Sequence, residues 1–131
     1  MKKILLPLVA LGVSAPAAAQ SIVVSGTDDG KLSTLSVAYE ELQAGQNVAA
    51  RDILIESNIS ADDPSRLINL GTAYARLGQS ADAAAAYRAA MTTPIRYDVE
   101  LAGGQYMDSR WAARTALARL ENGKPLLALA R

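Results

Sequence analysis

Apolar residues recur three and four positions apart along most of the chain. Leu35, Tyr39 and Leu42, with Val37 and Ala38 beside them, predict a helix that starts near Leu32 and ends at Gly45. A second helix follows from Val48 to Ser57, with Val48, Ala49, Ile53 and Ile55 as its expected apolar face and Ala50 and Leu54 alongside. Asp63 and Pro64 open a third: the carboxylate can accept from the free amides of the first turn, and proline fits where no amide is needed. Leu67, Leu70, Tyr74 and Leu77 carry its stripe, and Gly78 ends it in the left-handed conformation. A fourth helix runs from Ala81 to Met91, stopped by Thr92, Thr93 and Pro94.

The period then changes. Tyr97, Val99 and Leu101 alternate with Asp98 and Glu100, which is the two-residue period of a strand. Ala102, Gly103, Gly104 and Gln105 permit a reversal, and Tyr106 and Met107 return, so the span 96–107 reads as a β-hairpin inserted in a helical chain. Such a hairpin is marginal alone and must rest its apolar face on something. The reading favoured is a plug that covers the end of the helical stack and sets the angle of the last helix. The alternative is an edge strand that pairs with a partner's extended segment, or with Ile22, Val23 and Val24. A last helix spans 109–122, capped by Asp108 or Ser109 and stopped by Gly123 and Pro125.

Gly45 and Gly78 lie 33 residues apart, as do Ala50 and Ala83. A helix–turn–helix unit is thus repeated. The second unit carries Leu67, Leu70-Gly71 and Tyr74 in its first helix, Gly78 at the turn, Ala83, Tyr87 and Ala90 in its second helix, and Pro94 at its end. In these residues and spacings it resembles a tetratricopeptide repeat, with Leu67 where the family usually has tryptophan. The span 32–63 is a degenerate copy, with Gly45, Ala50 and Leu54 in place, and the last helix resembles a lone first helix of a third unit. The resemblance implies a mainly α fold: a TPR-like helical hairpin array of about two and a half units (32–63, 64–94 and the final helix), with the hairpin inserted. Small residues at Gly71, Ala83 and Ala90 would keep the helices close, with Tyr87 as the knob between them.

Residues 1–20 stand apart from this pattern. Lys2 and Lys3 precede an apolar run over 4–13 that is short for a bilayer span, and small residues follow at 15–19. These features predict a cleavable secretory signal, and they resemble Gram-negative leaders. An uncut anchor is the alternative, against which the short run interrupted by Pro7 and Gly12 argues. The expected location is the periplasm or the exterior, with no lipid anchor because the chain has no cysteine. Residues 21–31 read as a loose mature N-terminus and 124–131 as a tail. No second apolar run is long enough to span a membrane.

Charge is balanced at 13 basic against 13 acidic residues, but unevenly placed. Residues 21–65 have two basic and eight acidic side chains, and residues 66–131 nine and five. An acidic end and a basic end can steer a partner or favour head-to-tail contact. No basic cluster interleaved with aromatics points to nucleic acid.

The chain has no histidine and no cysteine, which removes the commonest general base, thiol nucleophile and transition-metal ligands. Asp98 and Glu100 share a strand face and form an acid pair in principle, with nothing else making a site around them. The expectation is a protein without enzymatic activity, cofactor or metal. The family resemblance instead implies binding of a protein or peptide on the concave face lined by first helices. Carried onto this chain, its candidates are Tyr39 and Gln43 in the first unit, Asn69, Thr72 and Arg76 in the second, and Arg110 and Arg114 in the last helix. Asn69 resembles the family's backbone-binding asparagine, and the three arginines suit a carboxylate or an acidic segment. Two readings follow: an adaptor in the bacterial cell envelope, or an envelope protein that self-associates through its acidic and basic ends.

Overall fold

A computed structural model describes residues 37–123 of the chain. The stretch over 1–20 read as a leader, the N-terminal stretch over 21–31, the expected start of the first helix and the tail over 124–131 lie outside the described residues. The described fold is mainly helical. In order it contains α1 (Tyr39–Gln43), α2 (Asn47–Glu56), α3 (Pro64–Arg76), α4 (Ser80–Thr92), strands β1 (Asp98–Glu100) and β2 (Tyr106–Asp108), and α5 (Ser109–Glu121).

The helix ends follow their local chemistry. Asp63 caps α3, its side chain accepting from the Arg66 amide at 3.0 Å, with Pro64 in the first turn. Asp108 does the same for α5, accepting from the Trp111 amide at 3.1 Å. Gly78 turns α3 into α4 at φ +75°, a conformation that costs a residue with a Cβ.

The first helix differs from expectation. It spans five residues, and Ala38 before it sits in the left-handed region at φ 55° while fully buried. A left-handed alanine costs on the order of 1–2 kcal/mol. Something must hold it there. The amide of Asn69 on α3 donates to the Val37 carbonyl at 2.8 Å, which fixes the main chain just before the bend.

The rotation of α2 also departs from expectation. Its buried residues are Ala50 and Leu54, while Val48, Ala49 and Ile55 are exposed and Ile53 is half-buried. Six of its ten positions are apolar and they fall in two runs of three, so periodicity alone does not choose a face. Arg66 does: its guanidinium donates to the carbonyls of Leu54 (2.9 Å), Ile55 (3.2 Å) and Ile59 (2.8 Å), seating the C-terminal end of α2 against α3.

Helix α3 is the centre of the stack and packs against α1, α2, α4 and α5. Two apolar clusters form around it. One gathers Ala38, Leu42, Ala50, Leu54 and Ala73 from α1, α2 and α3. The other joins Ile68, Ala83, Tyr87 and Ala90 with Val99, Leu101, Ala112, Ala113 and Ala116. Alanine on α4 and α5 lets their axes approach closely, because little side chain stands between the backbones.

Strands β1 and β2 pair antiparallel, with Asp98 opposite Asp108, Val99 opposite Met107 and Glu100 opposite Tyr106. The turn closes through Leu101 and Gln105, with Gly104 at φ +78°. Val99 and Leu101 are buried in the larger cluster. The Tyr97 hydroxyl reaches Asp63 (2.9 Å) and Ser65 Oγ (2.8 Å), tying the hairpin to the first turn of α3. The hairpin therefore fills the base of the α3–α4–α5 core. It does not cover the outer face of α5, where Trp111, Arg114 and Ala118 are exposed among the described residues.

Candidate recognition surface

The candidates read from the sequence divide into three groups. Asn69 and Thr72 are fully buried. Asn69 is engaged with Val37, and the Thr72 hydroxyl lies 3.1 Å from the Tyr87 hydroxyl. Neither faces an open surface, which corrects the expectation that they line one. Their polarity serves the interior: a buried amide or hydroxyl is tolerated when its hydrogen bonds are made within the chain.

Tyr39 and Gln43 are neighbours on α1, one turn apart, and the Gln43 amide donates to the Tyr39 hydroxyl at 2.9 Å. Gln43 is exposed and Tyr39 half-buried. Arg76 lies close by at the far end of α3. It donates to the Leu42 carbonyl at 2.6 Å and reaches Asn47 Oδ1 at 3.5 Å, so it closes the end of α1. Burial lowers the Arg76 pKa from its ordinary value, and the adjoining Tyr87 opposes that shift.

Arg110 and Arg114 belong to the opposite region. Arg110 donates to the Thr93 carbonyl at 3.1 Å, and Thr93 in turn donates to the Asp62 carbonyl at 2.8 Å. Arg110 thus sits level with the start of α3, whereas Arg76 closes its end. Twelve residue steps of helix separate those levels by about 18 Å. The three arginines do not meet at one point: Arg76 closes the end of α1, and Arg110 and Arg114 belong to α5.

Arg114 is exposed and makes no salt bridge among the described residues. It shares the outer stripe of α5 with Trp111, Ala118 and Glu121, all exposed. Trp111 is the chain's single tryptophan and is 56% exposed. Tyr106, on the neighbouring strand, is 61% exposed. At the other end of the stack Val48 and Ile55 of α2 are 52% and 50% exposed. These four large apolar side chains were missed as surface residues in the sequence. A signal for Trp111 was present: the seam of α5 is alanine, and an indole does not fit a seam that close.

The titrating groups are structural. Burial pushes the Tyr87 hydroxyl up to about 12, against the lowering effects of its Thr72 hydrogen bond and of Arg76. Burial likewise pushes Tyr97 up to about 12, with the Asp63 carboxylate adding to the shift and Ser65 opposing it. Asp108 is held below the usual carboxylate range, chiefly by the hydrogen bond from Arg96 and further by the Trp111 amide. Among the described residues no group of three or more His, Cys, Asp or Glu is placed to hold a metal ion. No described helix is long and apolar enough to cross a membrane.

Comparison of the chain with protein-family models, with curated proteins and with solved structures finds no match in any of the three.

Proposed function

We propose that this chain is a non-enzymatic protein-binding module, exported to the bacterial cell envelope, and built as a short TPR-like array. The helix contacts support the array: α1, α3 and α5 touch in succession along one side, and each is also packed by the helix that follows or precedes it. Gly71 against Tyr87 supports the resemblance at its most characteristic position. The leader over 1–20 supports export, the absent cysteine speaks against a lipid anchor, and the absent histidine and cysteine speak against common catalytic chemistry.

The observation that carries the binding reading is the exposed tryptophan beside an exposed arginine on the outer face of α5. Tryptophan, tyrosine and arginine dominate the energetic centres of protein interfaces. Burying Trp111 in a small domain would normally add stability, so its exposure is a cost to the isolated chain that a partner recovers. With Asn69 and Thr72 in the interior, recognition moves from the concave face to this outer stripe. Its chemistry suits a helix or strand with apolar residues and an acidic side chain.

A photoreactive residue at position 114 tests this in the living cell, with one at Asp82 on the exposed side of α4 as the comparison. Discrete crosslinked protein products from position 114, absent from position 82, support the reading. Equal products from both positions, or none from 114, contradict it.

A further inference from the structure

We infer that the partner of the α5 stripe is the α2 stripe of a second copy of this chain. This inference rests on the reading of α5 as a docking face. On α2 the exposed side chains Val48 and Ile55 flank Asp52, whose carboxylate is half exposed. Read from Ile55 backward, the positions 55, 52 and 48 are spaced three and then four. On α5 the exposed positions 111, 114 and 118 are also spaced three and then four. An antiparallel pairing of the two helices therefore sets Ile55 on Trp111, Asp52 on Arg114 and Val48 on Ala118 in one register. Large apolar groups meet a large ring or a small methyl, and the acid meets the base.

The charges around each stripe agree with this. Residues 37–63 have six acidic side chains and one basic, while on α5 Arg114 is exposed, Arg110 is half-buried beside it, and Glu121 is paired with Arg88. Glu56 follows Ile55 on one helix, and Arg110 precedes Trp111 on the other, at the same end of the pairing. Within its own chain Asp52 is paired with Arg51, and both contacts, each 2.8 Å, fall on Oδ1. Oδ2 is left for Arg114, whose guanidinium has no competing ion pair among the described residues.

The two stripes lie on different faces of one chain, so the contact is heterologous and repeats head to tail unless the rotation closes a ring. One helix on one helix is a small interface, at the transient end of the range. The association expected is weak, on the order of 100 µM, and weaker as salt screens the charges.

Sedimentation velocity over a concentration series, at low and high salt, tests the proposal on the full chain and three variants. The full chain should associate with concentration at low salt and less at high salt. Asp52→Arg and Arg114→Asp should each weaken association about ten-fold or more, and the two together should restore it. Arg114 is exposed and Asp52 half exposed, so neither substitution removes a core contact, and an unchanged melting curve for each variant checks the fold. A chain that stays monomeric throughout overturns the proposal, and so does a double variant as weak as either single one. Trp111 shielded from solvent in a monomer also overturns it, because another segment of the same chain then occupies the stripe. A monomer that still crosslinks to another protein from position 114 removes the second copy as partner but keeps α5 as the docking face. A monomer without such products removes both.

Discussion

Gly71 lies flat against the ring of Tyr87. A Cβ placed on Gly71 would fall 2.6 Å from Cε1 and 2.7 Å from Cδ1 of that ring, and the ring is fully buried. The ring cannot simply swing away, because its hydroxyl is 3.1 Å from Thr72 Oγ1. The closeness of α3 and α4 is thus set by one missing methyl group.

That contact reverses an ordinary expectation. Glycine to alanine inside a helix gains about 1 kcal/mol from backbone entropy. Here Gly71→Ala should instead destabilise the fold by about 1–3 kcal/mol through overpacking, read from urea unfolding. Combining it with Tyr87→Leu should lose much less than the sum of the two single effects, since the ring that clashes is gone. A stabilised Gly71→Ala variant would contradict the packing described.

Asn69 is the hinge between α3 and the entry to α1. Asn69→Leu removes the donor from the Val37 carbonyl and leaves a buried acceptor unpaired, at a cost of about 1–3 kcal/mol. The loss should be local. Amide hydrogen exchange should quicken in α1, around Leu42, more than in the core of α4 and α5. Equal acceleration throughout would show that Asn69 supports the whole fold rather than the seating of α1.

Tyr87 and Tyr97 make stability fall at high pH. Each has a folded pKa pushed up to about 12 from an unfolded value near 10. Below pH 10 both states hold the proton and the stabilisation is complete. Between pH 10 and 12 the unfolded chain loses protons that the folded chain keeps, so stability declines as pH rises. Tyrosinate absorbance should show Tyr87 and Tyr97 ionising late, and the melting temperature should drop over the same interval. Tyr97→Phe should remove one late-titrating group and, with it, the hydrogen bonds to Asp63 and Ser65. Ionisation of Tyr87 and Tyr97 near pH 10 would contradict these environments.

Much of the backbone was legible in the sequence because it is set by local chemistry. Asp63 with Pro64, Gly78 and Asp108 mark helix ends through groups within a few residues of each other. The alternation from Tyr97 to Leu101 marks the strand, since burial of Val99 and Leu101 follows from a period of two. The faces of α2 were not legible, because Val48, Ala49, Ala50, Ile53, Leu54 and Ile55 satisfy several rotations. The choice was made from 7 to 12 residues away, by the grip of Arg66 on the end of that helix. The interior positions of Asn69 and Thr72 were hidden for a related reason. A polar side chain reads as surface until its partner, here Val37 or Tyr87, is brought to it by the fold. The short α1 follows from the same Asn69 contact, which holds the chain in a left-handed bend that no propensity favours.

In the proposed contact the stripe of Trp111, Arg114 and Ala118 docks onto the α2 stripe of another copy. The chain's single tryptophan reports on it directly. Its fluorescence and its quenching by acrylamide should be followed from dilute to concentrated protein at low salt, then again after salt is raised. Docking should give the emission of a solvated indole when dilute, a blue shift and loss of quenching as concentration rises, and a return toward the solvated state in high salt. An indole that remains equally solvated and equally quenched at every concentration would contradict it.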